Sequence, residues 1–333
     1  NLKINILKEI SNSPQINPKI KTSNASINSK KINKMHEKCD TTTKSWITFD
    51  AAKRLFMNSK IEAKDMLRNA SQKGFKPMLL GMNMSTSINN TFVKNNSNNV
   101  IAKITGSETP DEYIIYTAHW DHLGVGQVVN GDSIYNGALD NASGSASMFS
   151  IAKAYSKMKE KPKRTIIFLS VTAEEQGLLG SLWYAQNPIY PIKNTIANIN
   201  MDGAAIMGRM KDLTITGYGH SEMDDIAAAE AKKQGRYILP DQEPEKGYFF
   251  RSDHFCFAKV GVPALYAKGS YDHREKGKEY AMKKKKEFTT TNYHQPSDQY
   301  LKGDWDLKGA VEDAQLFFNV GLRLANEKLY PQW

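Results

Sequence analysis

Cysteine is nearly absent from this chain: only Cys39 and Cys256 occur in 333 residues. Two cysteines cannot define a disulfide framework. Neither sits in a Cys-x-x-Cys pair, which argues against a thiolate metal site. No apolar run approaches the roughly 18 to 20 residues of a membrane span. Basic residues outnumber acidic ones, 45 to 35, for a net charge of +10. They are not interleaved with aromatic residues along a stripe, so no nucleic-acid partner is expected. Much of the excess lies in the first 60 residues and in Lys283-Lys284-Lys285-Lys286, and reads as a solvated basic surface. The first residue is Asn1 rather than Met, and no signal peptide is visible; the expectation is a chain that has lost an upstream portion.

What remains suffices for a real core. Hydrophobic residues make up 40% of the chain, with five tryptophans, enough for one large α/β domain or a domain with a small appendage. Residues 1–45 are rich in Asn, Lys, Ser and Ile and give no confident element. Residues 1–97 read as an N-terminal arm, or the remnant of an inserted domain. In it, Thr48-Phe49-Asp50 caps a helix through Met57, a second helix covers 61–71, and a loop covers 82–97.

From Asn98 the texture changes to strands alternating with helices, so residues 98–333 read as the main domain. Strands are expected at 100–104, 112–117, 164–172, 196–200, 213–216 and 263–266. Helices are expected from Asn141 to about 158, at 175–185, from the capping-box pattern Ser221-Glu222-Met223-Asp224 to about 234, from Ser252 to before Gly261, and at 306–327. The fold class is therefore α/β, a mostly parallel central sheet with helices on both faces, preceded by a small irregular N-terminal segment.

One stretch organises the rest. The apolar, β-branched run 164–170 is followed by Val171-Thr172-Ala173-Glu174-Glu175-Gln176-Gly177-Leu178-Leu179-Gly180-Ser181. Carboxylates are costly to bury unless compensated, and open α/β sheets place ligands at the C-terminal ends of their strands. A Glu-Glu pair alone is a common helix start, but four further segments put metal-type ligands at expected strand ends or turns. These are Thr117-Ala118-His119-Trp120-Asp121-His122-Leu123-Gly124, Asn136-Gly137-Ala138-Leu139-Asp140-Asn141-Ala142-Ser143-Gly144, Asn198-Ile199-Asn200-Met201-Asp202-Gly203 and Tyr293-His294-Gln295-Pro296-Ser297-Asp298. His119 and His294 with Asp140, Glu174, Glu175 and Asp202 supply two imidazoles and four carboxylates. Zinc accepts such N and O ligands at ~2.0–2.2 Å. A pair of metals about 3.5–4 Å apart needs a bridging carboxylate, terminal ligands for each ion and a free carboxylate to move protons. The inventory meets that demand with one Glu to spare.

In sequence and order these segments resemble the co-catalytic di-zinc aminopeptidase family of secreted bacterial enzymes, whose relatives include glutamate carboxypeptidase and glutaminyl cyclase. The resemblance runs from about Asn98 to His294. Its most specific phrases are Gly-Ala-x-Asp-Asn-Ala-Ser-Gly and Glu-Glu-x-Gly-Leu-x-Gly-Ser; Arg251-Ser252-Asp253-His254, with Gly261-Val262-Pro263-Ala264 after it, also fits. It implies a zinc exopeptidase fold and two Zn²⁺ per chain. Asp140 would bridge, His119 and Asp202 would hold one ion, and Glu175 and His294 the other. Glu174 would be the general base and acid and Asp121 the partner of His119; Tyr293 is a candidate donor to the oxyanion and Arg251 a candidate contact to substrate. A cis peptide at Asp140-Asn141, peptide substrates and a periplasmic or secreted location are implied as well. Segment 272–292 carries no phrase of the family and reads as a mobile solvated loop, with a lid beside His294 as the alternative.

The leading reading is an aminopeptidase. A carboxypeptidase of the same fold would need basic residues for the substrate's free carboxylate, with Arg251 the one candidate near a site motif. Glutaminyl cyclase relatives bind a single zinc, and a non-catalytic scaffold would have lost ligands; here the full set is intact. The oligomeric state is not legible.

Overall fold

Every residue of Arg164–Val171 is buried, the outcome expected of a β-branched apolar run that must pack on both faces. The computed structural model places it near the middle of a large sheet and describes residues 5–7, 48–70, 72–76, 80 and 96–333. Cys39 and the expected loop at 82–97 lie almost wholly outside these residues, as does most of the 1–45 segment. Two units emerge, one of residues 1–16 and 95–333, the other of residues 17–94.

Two helices are described in the smaller unit. α1 spans Phe49–Asn58, and Thr48 caps it by accepting a hydrogen bond from the Ala51 N–H at 3.2 Å. α2 spans Ala63–Ala70. The first starts where its capping signal puts it, and the second lies within the expected 61–71.

The larger unit is built on strands β1 (Asn5–Leu7), β2 (Val100–Ile104), β3 (Thr109–His119), β6 (Arg164–Val171), β7 (Thr195–Asn200), β8 (Asp212–Ile215), β9 (Tyr237–Pro240) and β10 (Ala264–Lys268). A separate hairpin joins β4 (Gly124–Val129) to β5 (Asp132–Tyr135). The main sheet runs β1-β2-β6-β3-β7-β10-β8-β9. Its centre, β6-β3-β7-β10, is parallel, while β2 on one side and β8 on the other pair antiparallel to it.

Alternation along β3 feeds two cores. Ile114, Tyr116 and Ala118 face α3 (Ser143–Ser156), α5 (Met223–Lys233) and α8 (Lys308–Asn326), packing with Met148, Tyr155, Ile226, Leu316 and Val320. Tyr113 and Ile115 face the other way, toward Tyr184 of α4 (Leu179–Gln186) and Phe257 of α6 (His254–Ala258). Helices thus cover both faces, as a parallel sheet requires.

Three expectations need correction. Segment 272–292 is not a loop: Gly277–Thr291 is a helix, α7, with Ala281 its one buried residue among those described. Its lysines are good helix formers, and the Lys284–Glu287 ion pair at 2.8 Å supports it locally. The capping box at 221–224 does not form. The Asp224 carboxylate instead accepts the Gly219 N–H at 2.6 Å, and the first turn has no side-chain cap. The 175–185 helix starts only at Leu179, because residues 173–178 make a tight turn instead.

Arg164 is a buried polar anchor of the larger unit. It is 3% exposed and bonds Glu112 at 2.5 Å and the carbonyls of Leu324, Glu327 and Leu329, with its guanidinium 4.5 Å from the Tyr330 ring. It fastens the chain after α8 to the start of β6. Arg164→Ala orphans several carbonyls at once and should cost about 3 kcal/mol. The midpoint of urea unfolding reads this directly, and an unchanged midpoint would contradict it.

Candidate metal centre

The strand register explains why distant residues meet. β3 pairs with β6 up to His119↔Val171 and with β7 up to Thr117↔Asn200, all parallel. Their C-terminal ends therefore lie side by side. His119 closes β3, Glu174 and Glu175 follow β6, and Asp202 follows β7. Asp140 comes from a π-turn over Ala138–Ala142 before α3, and His294 from the turn after α7.

The geometry centres on Asp140. Its Oδ1 lies 3.2 Å from His119 Nε2, and its Oδ2 lies 3.2 Å from His294 Nε2. On the first side, Asp202 Oδ1 is 3.7 Å from the same His119 nitrogen. On the other, Glu175 Oε2 is 3.1 Å from His294 Nε2. The five sequence-assigned ligands thus form two groups sharing one carboxylate.

A cation fits there. Among the described residues, His119 Nε2, His294 Nε2 and Glu175 Oε1 are buried without a hydrogen-bond partner, although acceptors and donors crowd them. Buried ring nitrogens that sit beside carboxylates without bonding them are groups a metal ion would satisfy. His119, Asp140 and Asp202 offer ligand atoms within 4.8 Å of one another, and so do His122, Asp140 and Glu175.

Electrostatics agree. Asp140 is held down to about 2, because His119 and His294 outweigh its burial. Glu175 is also held at about 2, its desolvation overcome by His122 and His294. His294 is pushed up to about 9; burial works against its charge, and Asp140 and Glu175 prevail. His119 moves up in the same way beside Asp140 and Asp202. Without a metal, the carboxylates draw protons onto the imidazoles, the positive charge a bound cation would replace. Glu174 behaves oppositely. Burial first, then the charges of Asp202 and Asp253, raise it to about 10.

Supporting residues hold the ligands in place. His119 Nδ1 is 3.0 Å from the backbone carbonyl of Asp121. The partner is thus the Asp121 main chain and not its carboxylate, whose Oδ1 instead accepts the Glu174 N–H at 3.4 Å. Asn141 follows a cis peptide at Asp140-Asn141. It donates to the Met201 carbonyl and accepts from the Gly144 and Gly203 N–H groups, each at 3.0 Å, which ties the Asp140 turn to the Asp202 segment. The phrase Arg251-Ser252-Asp253 also acquires a use. Ser252 donates to Asp202 Oδ2 at 2.6 Å and accepts from Asn200 at 2.7 Å, while buried Asp253 accepts from Ser181 at 2.6 Å.

Ala173, Leu178 and His294 have φ of 53°, 61° and 58°. A non-glycine residue there costs about 1 to 3 kcal/mol, and such residues gather where a site imposes its geometry. All three flank or carry the candidate ligands.

A cleft of about 780 Å³ opens on these groups, and its lining includes Glu174, Arg251, Tyr293 and α7 residues Lys284 and Phe288. Tyr293 stacks on His294 with ring centroids 3.9 Å apart. Its hydroxyl is held protonated by burial and by Asp140 and Glu175. Arg251 is exposed, 5.9 Å over the Tyr248 ring.

Sequence reasoning gave no role to Asp298 or His122. The Asp298 carboxylate accepts the N–H groups of Leu139, at 2.9 and 3.1 Å, and Asp140, at 3.1 Å, joining the His294 segment to the Asp140 turn. His122 Nδ1 lies 2.7 Å from Glu175 Oε1. Both residues stood inside the motif phrases, and that proximity was the one available signal.

The model of peptidase family M28 matches residues 99–318, about two thirds of the chain. This chain belongs to peptidase family M28. Among solved structures it is similar to BSAP, a zinc aminopeptidase from Bacillus subtilis, at 19% identity and a TM-score of 0.50, covering 69% of this chain and 50% of that one. The LapA aminopeptidase of Legionella pneumophila is similar at 20% identity and a TM-score of 0.50, covering 69% and 56%. At such identities the likeness shows the fold, a mostly parallel sheet flanked by helices. Among curated relatives, a probable zinc metalloprotease of Pyrenophora tritici-repentis is 44% identical over 101 residues, 30% of this chain and 20% of that protein. Aminopeptidase NAALADL1 of Mus musculus is 33% identical over 137 residues, 39% and 17%. The match spans about a fifth of the length of these relatives. Within family M28 the chain thus has the fold, with candidate metal-ligating side chains brought together at the strand ends. Among the described residues no helix is long and apolar enough to cross a membrane.

Proposed function

We propose that this chain is a zinc-dependent exopeptidase that removes N-terminal residues from peptides. The observation that carries the metal reading is Asp140, whose two oxygens each stand 3.2 Å from a different histidine. His119 and Asp202 would hold one ion, and Glu175 and His294 the other; zinc held there would acidify a water and polarise the scissile carbonyl.

The protein's own groups do the rest. Glu174 is buried, lines the cleft and is raised to about 10 by desolvation and neighbouring carboxylates. A cation beside it would lower that value toward the working pH, where a proton carrier is most effective. Glu174 takes the proton from the attacking water and returns it to the leaving amine. Tyr293, protonated at the cleft wall, is the donor available to the oxyanion. A curated relative named an aminopeptidase, NAALADL1, favours the aminopeptidase reading over its rivals.

A carboxypeptidase would instead hold a free carboxylate. Of the basic residues in the cleft, Lys268 donates to the Asp202 carbonyl at 2.8 Å and Lys285 pairs with Glu243 at 2.9 Å. Arg251 and Lys284 line the cleft as well. The deciding experiment compares free and N-acetylated aminoacyl chromogenic amides with N-blocked dipeptides. Hydrolysis confined to substrates with a free amine is expected. Preference for the blocked dipeptides would make the protein a carboxypeptidase.

A further inference from the structure

We propose that His122 is a further ligand of the metal position formed by Asp140, Glu175 and His294. That position would then carry two imidazoles and two carboxylates, and its neighbour, His119 with Asp140 and Asp202, only one imidazole. The inference rests on the two-metal reading above and deepens it.

His122 stands in the turn after β3, three residues beyond His119. Its side chain is 6% exposed, and Nδ1 lies 2.7 Å from Glu175 Oε1. At that distance a hydrogen bond would be the ordinary explanation. Yet among the described residues neither His122 nitrogen nor Glu175 Oε1 is aligned with a hydrogen-bond partner, so the contact is a close charged pair rather than a well-formed hydrogen bond. His119 Nε2 and His294 Nε2 show the same behaviour, close to carboxylate oxygens yet bonded to none. Buried ligand atoms that stand this close without bonding one another are what a shared cation would satisfy. The ligand atoms of His122, Asp140 and Glu175 all lie within 4.8 Å of one another. The His122 and His294 rings meet edge to face, with centroids 5.6 Å apart, and each approaches one oxygen of Glu175.

The backbone makes room for this ring. Gly137 has φ +60°, and a Cβ there would stand 2.5 Å from His122 Cγ and 2.5 Å from the Asp140 carbonyl oxygen. The turn that carries Asp140 is thus shaped around the His122 imidazole.

The chemical consequence is inequality between the two positions. Imidazole suits Zn, Co, Ni and Cu, whereas carboxylate-rich sites also accept Mn or Mg. The His122 position should fill first and hold a transition metal more tightly, and the His119 position should exchange more readily.

The test uses the full chain, stripped of metal and titrated with Co²⁺, following visible absorption and bound cobalt by elemental analysis. Wild type should take up two equivalents, the first more tightly. His122→Ala should weaken the first by roughly tenfold or more and change its absorption band, leaving the second equivalent as it was. His122→Gln keeps a side chain able to hydrogen-bond Glu175 but is a poor ligand, and should behave like the alanine variant. Circular dichroism of the metal-free variants checks folding, and the glutamine variant decides if the alanine one does not fold. Wild-type affinity and spectrum in His122→Gln would overturn the proposal and leave His122 a residue that only orients Glu175. Uptake of no cobalt by wild type would overturn the two-metal reading itself, a result distinct from either.

Discussion

Replacing Glu174 with glutamine should leave a folded protein that keeps its metals and still binds substrate, while kcat falls by ~10² to 10⁴. The substitution preserves shape and removes the ability to accept a proton. Glu175 lies 2.7 Å from His122 and 3.1 Å from His294, whereas among the described residues Glu174 is in neither three-residue group of candidate ligands. KM should change little, and added zinc should not restore turnover. Steady-state kinetics with elemental analysis on the same preparation measures both. Loss of metal would mean that the roles of the two neighbours are exchanged. Turnover near wild type would remove Glu174 from the mechanism.

Asp140→Ala should be more severe, because it strips both positions at once. Asp140 is the residue whose two oxygens face different histidines. Without it each position loses a charged ligand, and like imidazoles face a common void. Metal content should fall from two ions toward none. Activity should drop by roughly 10³-fold or more, since metal polarisation is worth several kcal/mol. Excess Zn²⁺ should recover little. Glu175→Gln provides the contrast: it damages one position only, so excess metal should restore part of the activity. Equal rescue of both variants would count against a bridging role for Asp140.

Much of this site was legible before any coordinates, for a physical reason. A parallel strand buried on both faces must be apolar, so a carboxylate or imidazole at its end stands out. His119, Glu174, Glu175 and Asp202 all announce themselves in this way. Less was legible where the signal is geometric. His122 and Asp298 act through direction and distance, which a string of residues does not carry. Helix α7 was read as a loop because its lysine run has no apolar period, and only Ala281 is buried among its described residues. The hairpin of β4 and β5 was missed for a similar reason: Gly124–Val129 is exposed at nearly every position, with no face turned to a core. Strand β9 lies at the edge of the sheet and ends in Pro240, which an interior strand would not tolerate.

The Asp298 clasp on the Asp140 turn has a thermodynamic consequence. It makes the last contributor, His294, arrive with the segment that locks the first ones, so the binding centre is closed by contacts between chain regions remote in sequence. Such contacts carry the loop-closure entropy of the whole domain, and an unfolded chain has no comparable centre to offer. Cations held there would favour the native ensemble over the denatured one. A single ion at a hundredfold over its dissociation constant shifts that balance by about 2.7 kcal/mol. The thermal midpoint of this protein should therefore climb with free zinc concentration, and a chelator should act as a denaturant.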